Sequence, residues 1–443
     1  MAIRVGMVSL GCPKNQVDAE HMVYNLREEG YELIADAGLA DVVVINTCGF
    51  IESAKQEAIE TILEFCTLKE EGRIKAVIVT GCLAERYREE ISKEMPEVDA
   101  VIGIGSNELL GTVIKKVLDG EGRINTFGDK YSLIIGGKRL ISTETFAYVK
   151  IAEGCDNCCT YCAIPSIRGR FRSRKMESVL DEVKWLASVG YKEIILIAQD
   201  TTRYGEDIYG KPMLAPLMRE VAKIDGIKWI RTLYAYPERI TDELIDVIAE
   251  EPKCVKYLDI PIQHCDGEVL RRMNRQGDEK TLRELIAKLR ERIPGIILRT
   301  TLIAGFPGET DEQFERLCEF VKDTKFDRLG CFAYSAEEGT PAADFPDQID
   351  EEVKQRRADI IMETQMLIND EVCQKMVGKT LEVVTEGFDR WGECYFGRSV
   401  GEVPEIDGKI FFSSPVPRAL GEYVNVHIDD VMDYDLVGSV VED

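Results

Sequence analysis

Cys155-Asp156-Asn157-Cys158-Cys159-Thr160-Tyr161-Cys162 is the stretch of this sequence that decides the fold. Within it, Cys155, Cys159 and Cys162 are spaced C-x-x-x-C-x-x-C, with an aromatic residue directly before the last cysteine. Cubic iron–sulfur clusters normally take four cysteine thiolates, so three leave one iron open. An open position on a metal centre serves a reacting molecule, as it does in catalytic zinc sites. The spacing therefore predicts chemistry at a metal rather than a structural clip.

The composition around this stretch is that of a large globular protein. A length of 443 residues predicts two or three domains. No apolar run approaches the roughly 18 residues of a membrane span, and the first residues enter a strand pattern, so we expect no signal peptide and a cytoplasmic protein. Fourteen cysteines then indicate metal or redox use rather than disulfides. A net charge of −25 argues against a generic nucleic-acid binder and favours a basic partner, or solubility alone.

Residues 1–135 are predicted to form a parallel α/β domain. Apolar runs alternate there with helical patterns, which is typical of a parallel sheet with crossover helices. The stretch from Gly120 to Thr145 has weak periodicity and is predicted to be a linker. The predicted strands are Val5–Leu10, Val42–Ile45, Ala76–Thr80 and Ala100–Ile104.

A cysteine lies just past each of the first three of these strands, namely Cys12, Cys48 and Cys82. The intervals of 36 and 34 residues each correspond to one strand–helix unit. Ligands bind outside the carboxyl ends of the strands in open α/β sheets. Buried structural cysteines are common in such cores, so one thiol would mean little. Three at equivalent strand ends predict a second metal site at one edge of the sheet.

Residues 140–377 are predicted to form an incomplete (β/α)6 barrel, because six strand–helix units follow one another without a nucleotide fingerprint. Active sites of such barrels lie at the carboxyl ends of the strands, and the central cysteine triplet follows the first one. A long helical pattern, Asp350–Val377, closes this domain. The predicted strands are Ala147–Ala152, Glu193–Ala198, Trp229–Ala235, Tyr257–Ile262, Ile297–Ala304 and Arg328–Tyr334.

Residues 378–443 are predicted to form a small antiparallel β-barrel. Short alternating strands separated by turn residues support this prediction. The predicted strands are Leu381–Thr385, Cys394–Ser399, Lys409–Phe412 and Tyr423–Ile428.

Zinc is the competing interpretation of the central cysteines. It would use Cys158 together with Cys155, Cys159 and Cys162. Adjacent Cys158 and Cys159 would then bind one ion from a tight loop, whereas structural zinc sites usually draw pairs of ligands from two separate knuckles. The cluster is therefore favoured over zinc.

A C-x-x-x-C-x-aromatic-C motif after the first strand of a partial barrel resembles the radical S-adenosylmethionine (SAM) superfamily. The resemblance implies a 4Fe–4S cluster on the three cysteines, with SAM chelating the fourth iron and cleaved to a 5′-deoxyadenosyl radical. It also implies that Tyr161 packs against the adenine, although shielding of the loop is an equal alternative.

Further cofactor contacts are expected at other strand ends. Gln199 and Asp200 end the second strand and are candidates for polar groups of SAM, with capping of the following loop as the alternative. Gly305, Pro307 and Gly308 in the segment Gly-Phe-Pro-Gly-Glu loosely match the superfamily's glycine motif, with a Pro-Gly turn as the alternative. The basic stretch Ile167–Lys175 is a candidate for offsetting cluster or cofactor charge or for binding an acidic substrate group, with a solvated loop as the alternative.

The whole layout resembles the methylthiotransferase family, with a three-cysteine domain, a radical barrel and a terminal TRAM barrel. The resemblance implies two 4Fe–4S clusters: Cys12, Cys48 and Cys82 hold the one that carries the sulfur, and the central triplet holds the radical-generating one. One SAM molecule methylates the sulfur, and another makes the radical that removes a substrate hydrogen. Cys158 is an extra thiol that the family pattern does not require, and no side chain is assigned as catalytic beyond the cluster ligands.

Smaller motifs indicate which substrate branch of the methylthiotransferase family the chain resembles. Ile164-Pro165-Ser166, Val403–Gly408 and Tyr434–Gly438 resemble the branch that modifies an aspartate of small-subunit ribosomal protein S-twelve. His264 also stands where tRNA-modifying members usually carry serine, and its own role is open between packing and base catalysis.

The charge of the carboxyl-terminal segment agrees with this branch. Residues 379–443 hold 14 acidic and 5 basic residues, a net charge of −9, which suits a basic ribosomal protein better than tRNA. The expected partners are this ribosomal protein, free or in the ribosome, and an electron donor. The alternatives are methylthiolation of an adenosine in tRNA, and an iron–sulfur scaffold or electron carrier.

Overall fold

The computed structural model describes residues 2–133 and 136–441, and the elements below refer to these residues. The amino-terminal part is a six-stranded parallel sheet in the order β2-β1-β3-β4-β5-β6. Apolar clusters cover both of its faces. The strands are β1 (Arg4–Ser9), β2 (Glu32–Ile34), β3 (Val42–Thr47), β4 (Ala76–Gly81), β5 (Ala100–Ile102) and β6 (Ile124–Thr126). The helices are α1 (Pro13–Glu28), α2 (Glu52–Glu70), α3 (Cys82–Arg86), α4 (Arg88–Glu94) and α5 (Leu110–Leu118).

Two edge strands of this sheet were not expected from the sequence. β2 is three residues long, and β6 lies inside the stretch that was predicted to be a linker. Such short strands carry little periodic signal, and they form because they pair with β1 and β5. The predicted first-domain boundary at residue 135, and the outer limits at residues 1 and 443, lie outside the described residues.

The central part contains six parallel barrel strands, which form two hydrogen-bonded groups, β7-β10-β11 and β12-β13-β14. One isolated parallel bridge, Ile230 with Cys254, joins the two groups. The strands of this part are β7 (Phe146–Lys150), β8 (Ala152–Glu153), β9 (Arg172–Ser173), β10 (Glu193–Ile197), β11 (Trp229–Thr232), β12 (Tyr257–Asp259), β13 (Ile297–Ala304) and β14 (Arg328–Ala333). β8 and β9 pair separately as a short antiparallel ribbon.

Helices cover one face of these strands. The helices of this part are α6 (Ile164–Arg168), α7 (Met176–Ser188), α8 (Glu206–Tyr209), α9 (Leu214–Ala222), α10 (Asp242–Glu250), α11 (Gly267–Arg272), α12 (Glu279–Arg292), α13 (Asp311–Thr324) and α14 (Glu351–Gln374). The covering side chains come from α7 and from α9 to α14. Side chains alternate along β7 and β10, so that Ala147 and Ile194 pack among the helices. Tyr148 and Ile195 face the other way, into a second core.

This second core joins all three parts of the chain. It contains Val17 from α1 as well as Val384 and Val403 from the carboxyl-terminal part. The amino-terminal part lies at the carboxyl ends of the barrel strands, where Lys14 reaches Ala198 just after β10. The carboxyl-terminal part lies at their amino ends, where Glu193, the first residue of β10, accepts a hydrogen bond of 2.9 Å from Arg398.

The carboxyl-terminal part is a closed barrel in the order β15-β16-β17-β19-β18. Its strands are β15 (Thr380–Asp389), β16 (Cys394–Arg398), β17 (Ile410–Ser413), β18 (Tyr423–Met432) and β19 (Asp435–Val440). β19 was not predicted, and it pairs in parallel with β17, so the barrel is not wholly antiparallel. Across the described ranges of the chain, no helix has the length and apolar character that a membrane crossing requires.

Candidate functional site

The central triplet lies in the loop that follows β8, at the carboxyl end of the first barrel strand. This loop is closed by backbone hydrogen bonds from Cys155 N–H to Gly169 O and from Thr160 N–H to Met273 O, both 3.1 Å long. Gly154 begins the loop at φ 77°, and a side chain there would collide with the carbonyl of Arg170. The loop conformation is therefore specified by backbone packing at both ends.

The four cysteines of the loop are not equivalent. Cys155 and Cys159 are buried and Cys162 is partly buried, whereas Cys158 is exposed and has φ 51°. Burial, reinforced by the neighbouring Cys159, raises the pKa of the Cys155 thiol to about 12. Burial and the same neighbour also raise the pKa of Cys162. Cys158 is thus set apart from the other three thiols, as the C-x-x-x-C-x-x-C interpretation requires.

Aromatic rings and one cation surround Cys159. The Tyr236 hydroxyl lies 3.7 Å from Cys159 Sγ, and the Arg275 guanidinium lies 4.1 Å from the centre of the Tyr236 ring. Burial raises the pKa of the Tyr161 hydroxyl well above its usual value, and the adjacent Cys159 adds to this effect. Arg275 Nε and Nη1 are buried without a hydrogen-bond partner among the described residues.

Tyr236 and Arg275 were both missed at the sequence level. Tyr236 lies a few residues beyond β11, so the rule that sites gather at strand ends would have found it. Arg275 lies in a loop after α11 and carries no sequence signal of its own.

Gln199 and Asp200 lie beside the triplet loop. Asp200 Oδ2 accepts a hydrogen bond of 2.8 Å from Asn157 Nδ2 inside the loop, and Gln199 Nε2 donates to Glu153 Oε1 at 2.7 Å. Burial raises the pKa of the Asp200 carboxyl. Gln199 Oε1 is buried with no partner among the described residues. Asp200 also accepts from Thr202, so it caps its own loop as well as contacting the triplet loop.

The Gly305–Glu309 segment is a packed turn. Gly305 lies against Lys354, and Gly308 lies against Arg272 and Asp347. Gly305 N–H donates to Glu309 Oε2 at 3.0 Å, which closes the turn on itself. Pro307 sits between these contacts, so the Pro-Gly turn that was the alternative interpretation accounts for this geometry.

His264 is fully buried behind this turn. Its Nδ1 accepts a hydrogen bond of 2.9 Å from Asp266 N–H, and its Nε2 lies 3.4 Å from Glu309 Oε2. The imidazole thereby connects the end of the fourth barrel strand to the Gly305–Glu309 turn. These contacts agree with packing, and Nε2 has no hydrogen-bond partner among the described residues.

The amino-terminal triplet lies at the carboxyl edge of the first sheet, as predicted. Cys12 precedes α1, Cys48 follows β3 and Cys82 opens α3. The backbone approaches closely there, because a Cβ at Gly11 would lie 2.7 Å from Cys48 Cβ. Burial raises the pKa of Cys82 to about 12 and also raises that of Cys48.

Helix α6 lies between the central triplet and Cys82 of the amino-terminal triplet. Ala163, directly after Cys162, and Ile167 pack against Cys82. Arg168 at the end of α6 directs Nη2 to Cys82 Sγ at 3.4 Å. Arg168 is thus one cation of the basic stretch that lies beside the amino-terminal triplet, and it is buried rather than solvated.

Arg168 belongs to a buried ionic cluster between the two parts of the chain. It lies 2.9 Å from Asp18 on α1 and 3.1 Å from Glu153 on β8. Lys150 contacts the same two carboxylates. Breaking a buried pair leaves an uncompensated charge, so this cluster holds the two triplets in a fixed arrangement.

No group of three or more His, Cys, Asp or Glu side chains in residues 2–133 and 136–441 converges closely enough to hold a single metal ion. A cubic cluster places its thiolates around a larger body than one ion, so cluster ligands need not converge in this way.

Proteins similar to this chain extend over its full length. A chain from Clostridioides difficile named ribosomal protein uS12 methylthiotransferase RimO is 48% identical and covers 99% of both chains. Proteins of the same name from Caldicellulosiruptor saccharolyticus and Geobacter sulfurreducens are 50% and 48% identical, over 99% of this chain and 100% and 98% of theirs. The chain belongs to the RimO family of radical SAM methylthiotransferases.

The domain matches of this RimO-family chain follow the three parts of its fold. Residues 4–103 match the family described as uncharacterized protein family UPF0004, residues 149–321 match the radical SAM superfamily, and residues 377–441 match the TRAM domain. The predicted resemblance and fold class are confirmed. RimO membership implies SAM and a 4Fe–4S cluster as cofactors.

Solved structures share the fold at low identity. The radical SAM methyltransferase TsrM from Kitasatospora setae has a TM-score of 0.56 at 14% identity, and covers 86% of this chain and 81% of its own. The cobalamin-dependent radical enzyme OxsB has a TM-score of 0.53 at 14% identity, and covers 82% of this chain and 56% of its own. At this level of identity, both similarities show only that this chain shares the fold of these two enzymes.

Proposed function

We propose that this chain transfers a methylthio group to the β-carbon of an aspartate in ribosomal protein uS12, using two 4Fe–4S clusters. The observation that carries the proposal is the meeting of two cysteine triplets across α6, with Cys82 in contact with the helix that begins after Cys162. The substrate is inferred from relatives named as uS12 methylthiotransferases, which are 48–50% identical over nearly the whole chain.

The residues at the central triplet suit a cluster with SAM bound to it. Cys155, Cys159 and Cys162 are the proposed ligands, and their buried thiols give up protons when metal binds. Near them lie buried polar atoms without partners among the described residues, on Arg275 and Gln199. A cation and an amide oxygen match the carboxylate and amino groups of a bound amino-acid moiety.

Further residues complete this side of the site. Tyr161 and Tyr236 exclude water from the face of Cys159, and Asp200 holds the loop through Asn157. A contact of SAM with the backbone at Gly305, Pro307 and Gly308 is proposed from the glycine motif alone, because the residues packed against this turn are Lys354, Arg272 and Asp347.

The amino-terminal triplet suits a second cluster. Cys12, Cys48 and Cys82 are the proposed ligands, and Arg168 offsets negative charge from 3.4 Å beside Cys82 Sγ. When bound, the two clusters and SAM supply the radical that removes a substrate hydrogen and the sulfur that replaces it. The chain itself keeps the two centres apart and aligned, through α6 and the ionic cluster around Arg168.

The carboxyl-terminal barrel is proposed to attract the basic ribosomal protein. Residues 379–443 carry a net charge of −9, from 14 acidic and 5 basic residues. Charge complementarity of this kind speeds the encounter of two proteins and disfavours wrong partners. The same charge repels tRNA phosphates. An electron donor is also required to reduce the central cluster.

The test of the substrate uses protein reconstituted anaerobically with iron and sulfide, then supplied with reductant and SAM. Free uS12, the small ribosomal subunit and tRNA are offered in parallel and examined by mass spectrometry. We expect one methylthio group in place of one hydrogen on a uS12 aspartate. Modification of tRNA with none on uS12 would refute the substrate.

The test of the clusters is iron content. The wild type is expected to hold about eight iron atoms per chain, and serine replacement of either complete triplet about four. Cys158→Ser is the matched control, because this thiol is exposed beside the central triplet and its loss is expected to leave the iron content unchanged. About four iron atoms in the wild type after full reconstitution would overturn the two-cluster proposal.

A further inference from the structure

The last barrel strand, β14, has one unpaired edge. It pairs with β13 on one side, and no other described strand or bridge pairs with it on the other side. Tyr334 N–H donates to Ala304 O at 2.9 Å, which fixes the alternation of backbone groups along the strand. The N–H groups of Leu329, Cys331 and Ala333 therefore point away from β13. A strand edge of this kind is a template for pairing with another chain.

The three outward amides of this edge lack strong acceptors. Cys331 N–H donates to Met362 Sδ on α14 at 3.2 Å, and a thioether sulfur is a weak acceptor. The N–H groups of Leu329 and Ala333 have no hydrogen-bond partner in the parts of the chain that the structure describes. The carbonyl groups of an added strand would accept hydrogen bonds from all three.

Apolar side chains flank the free edge on both faces of β14. Leu329 and Cys331 pack towards the core beneath the helices, so Phe332 projects from the opposite face, where 54% of its surface is exposed. Met362 lies on the helix side, and Met366 follows it one turn further along α14. Alternate side chains of an added strand would meet Phe332 on one face and the methionines on the other, and methionine adapts readily to different partners.

The two ends of β14 contact the other two parts of the chain. At its first residue, Arg328 Nη2 donates to Oε1 of Glu402, in the loop between β16 and β17, at 3.5 Å. Shortly after its last residue, Glu337 accepts a hydrogen bond of 2.9 Å from Arg86 on α3, the helix that Cys82 opens. A segment laid along this edge would therefore run from the acidic carboxyl-terminal barrel to the carboxyl ends of the barrel strands, where both triplets lie.

The charge beside the free edge is mainly negative. Helix α14 packs along β14, and a groove on its exposed side is lined by the charged residues Glu351, Glu352, Arg356, Asp359 and Glu363. Four of these five are acidic, so the groove attracts a positively charged partner. Unpaired amides, flanking apolar side chains and negative charge together suit an extended basic polypeptide.

We propose that an extended segment of ribosomal protein uS12 pairs with the free edge of β14 as a seventh strand of the barrel. The inference rests on the proposed function, since it identifies where that substrate binds. Backbone hydrogen bonds to the three outward amides align the segment, while Phe332, the two methionines and the carboxylates of α14 select its side chains. The pairing directs the segment to the edge of the barrel at which the chemistry takes place.

Hydrogen exchange on the wild-type holoenzyme tests the pairing directly. Amide exchange is followed at single-residue resolution by mass spectrometry, with and without the form of uS12 that the holoenzyme modifies, free or in the small subunit. The amides of Leu329, Cys331 and Ala333 are expected to exchange about tenfold or more slowly when uS12 is bound. Those of Gly330 and Phe332 already pair with β13 and serve as internal controls that change little. Unchanged exchange at all three outward amides would overturn the inference.

A paired substitution tests the side chains beside the edge. Met362→Lys combined with Met366→Lys places two positive charges there and is expected to weaken uS12 binding about tenfold or more, measured by fluorescence anisotropy. Ile59→Lys combined with Leu63→Lys is the matched control, because these residues have the same spacing on α2 and are 40% and 48% exposed, against 37% and 50% for the methionines. The control is expected to bind as wild type does, and equal binding by the two double variants would contradict the proposed surface. Iron content checks that both are folded, and the exchange measurement does not depend on either variant.

The outcomes also separate this inference from the proposed function. Modification of uS12 without added protection along β14 would overturn the binding mode alone. Protection of the same amides at high protein concentration without uS12 would assign the edge to a second copy of this chain, and would overturn the binding mode too. Modification of tRNA instead of uS12 would overturn the proposed function and this inference together.

Discussion

Replacement of Gly11 by alanine is expected to remove the amino-terminal cluster and leave the central one in place. Gly11 has φ 90°, a conformation that costs an alanine about 1–2 kcal/mol. The added Cβ would lie 2.7 Å from Cys48 Cβ and 3.0 Å from Cys48 Sγ. Carbon atoms normally approach to about 3.5–4.0 Å, so Cys48 must move by nearly 1 Å. Overpacking of this kind costs about 1–3 kcal/mol, which gives about 2–5 kcal/mol in all.

The assay for Gly11→Ala combines three measurements on reconstituted protein. Iron content is expected to fall from about eight to about four atoms per chain, while SAM cleavage to 5′-deoxyadenosine continues and methylthiolation stops. Gly72→Ala is the matched control, because Gly72 has φ 73° and no atom lies within 4 Å of its Cβ position. This control carries the backbone cost alone and is expected to keep all its iron. Full iron and normal methylthiolation in Gly11→Ala, or loss of both clusters together, would refute the reasoning.

Three other perturbations address the remaining parts of the site. Gly154→Ala directs a Cβ at the Arg170 carbonyl and is expected to disrupt the central cluster. SAM cleavage is then expected to stop while about four iron atoms stay bound, and unimpaired cleavage would contradict this expectation. Arg168→Met leaves Lys150 as the remaining cation of the cluster for both Asp18 and Glu153. This change is expected to lower the free energy of unfolding by about 3 kcal/mol, which would be measured as a lower thermal midpoint. An unchanged midpoint would show that the ionic cluster does not contribute to stability. In apoprotein, burial raises the pKa of Cys155 to about 12, so its thiol stays protonated below that pH. Alkylation of Cys155 is therefore expected to remain slow through about pH 9, while exposed Cys158 reacts. Peptide mass spectrometry measures the labelling of each cysteine, and equal labelling of the two would contradict this expectation.

Much of the fold followed from periodicity. The long strands, such as Val42–Thr47 and Ile297–Ala304, are apolar runs bounded by turn residues, and these were placed to within a few residues. Strands that depend on a neighbour were missed. Ile124–Thr126 is three residues long, and Gly438 and Ser439 interrupt the apolar pattern of Asp435–Val440, so neither strand stands out before an adjacent strand pairs with it.

The candidate site divides in the same way. The six cysteines were predicted as ligands because motif spacing and strand ends are visible in a single sequence, and the structure places them at strand ends as the pattern indicated. The contact of Arg168 with Cys82 joins residues 86 positions apart, and no local pattern encodes it.

Arg398 has a consequence for the exchange of modules between proteins. This residue of β16 reaches Glu193 at the base of β10, where Arg231 is the other cation, 3.2 Å away. Val384 and Val403 seal the apolar face beside this contact. If the radical SAM barrel were separated from the carboxyl-terminal barrel, Glu193 would lose Arg398 and keep Arg231 as its cation, and the apolar side chains beside it would be exposed to water. A transplanted TRAM domain would therefore need an arginine at this position before its surface charge had any effect on substrate choice.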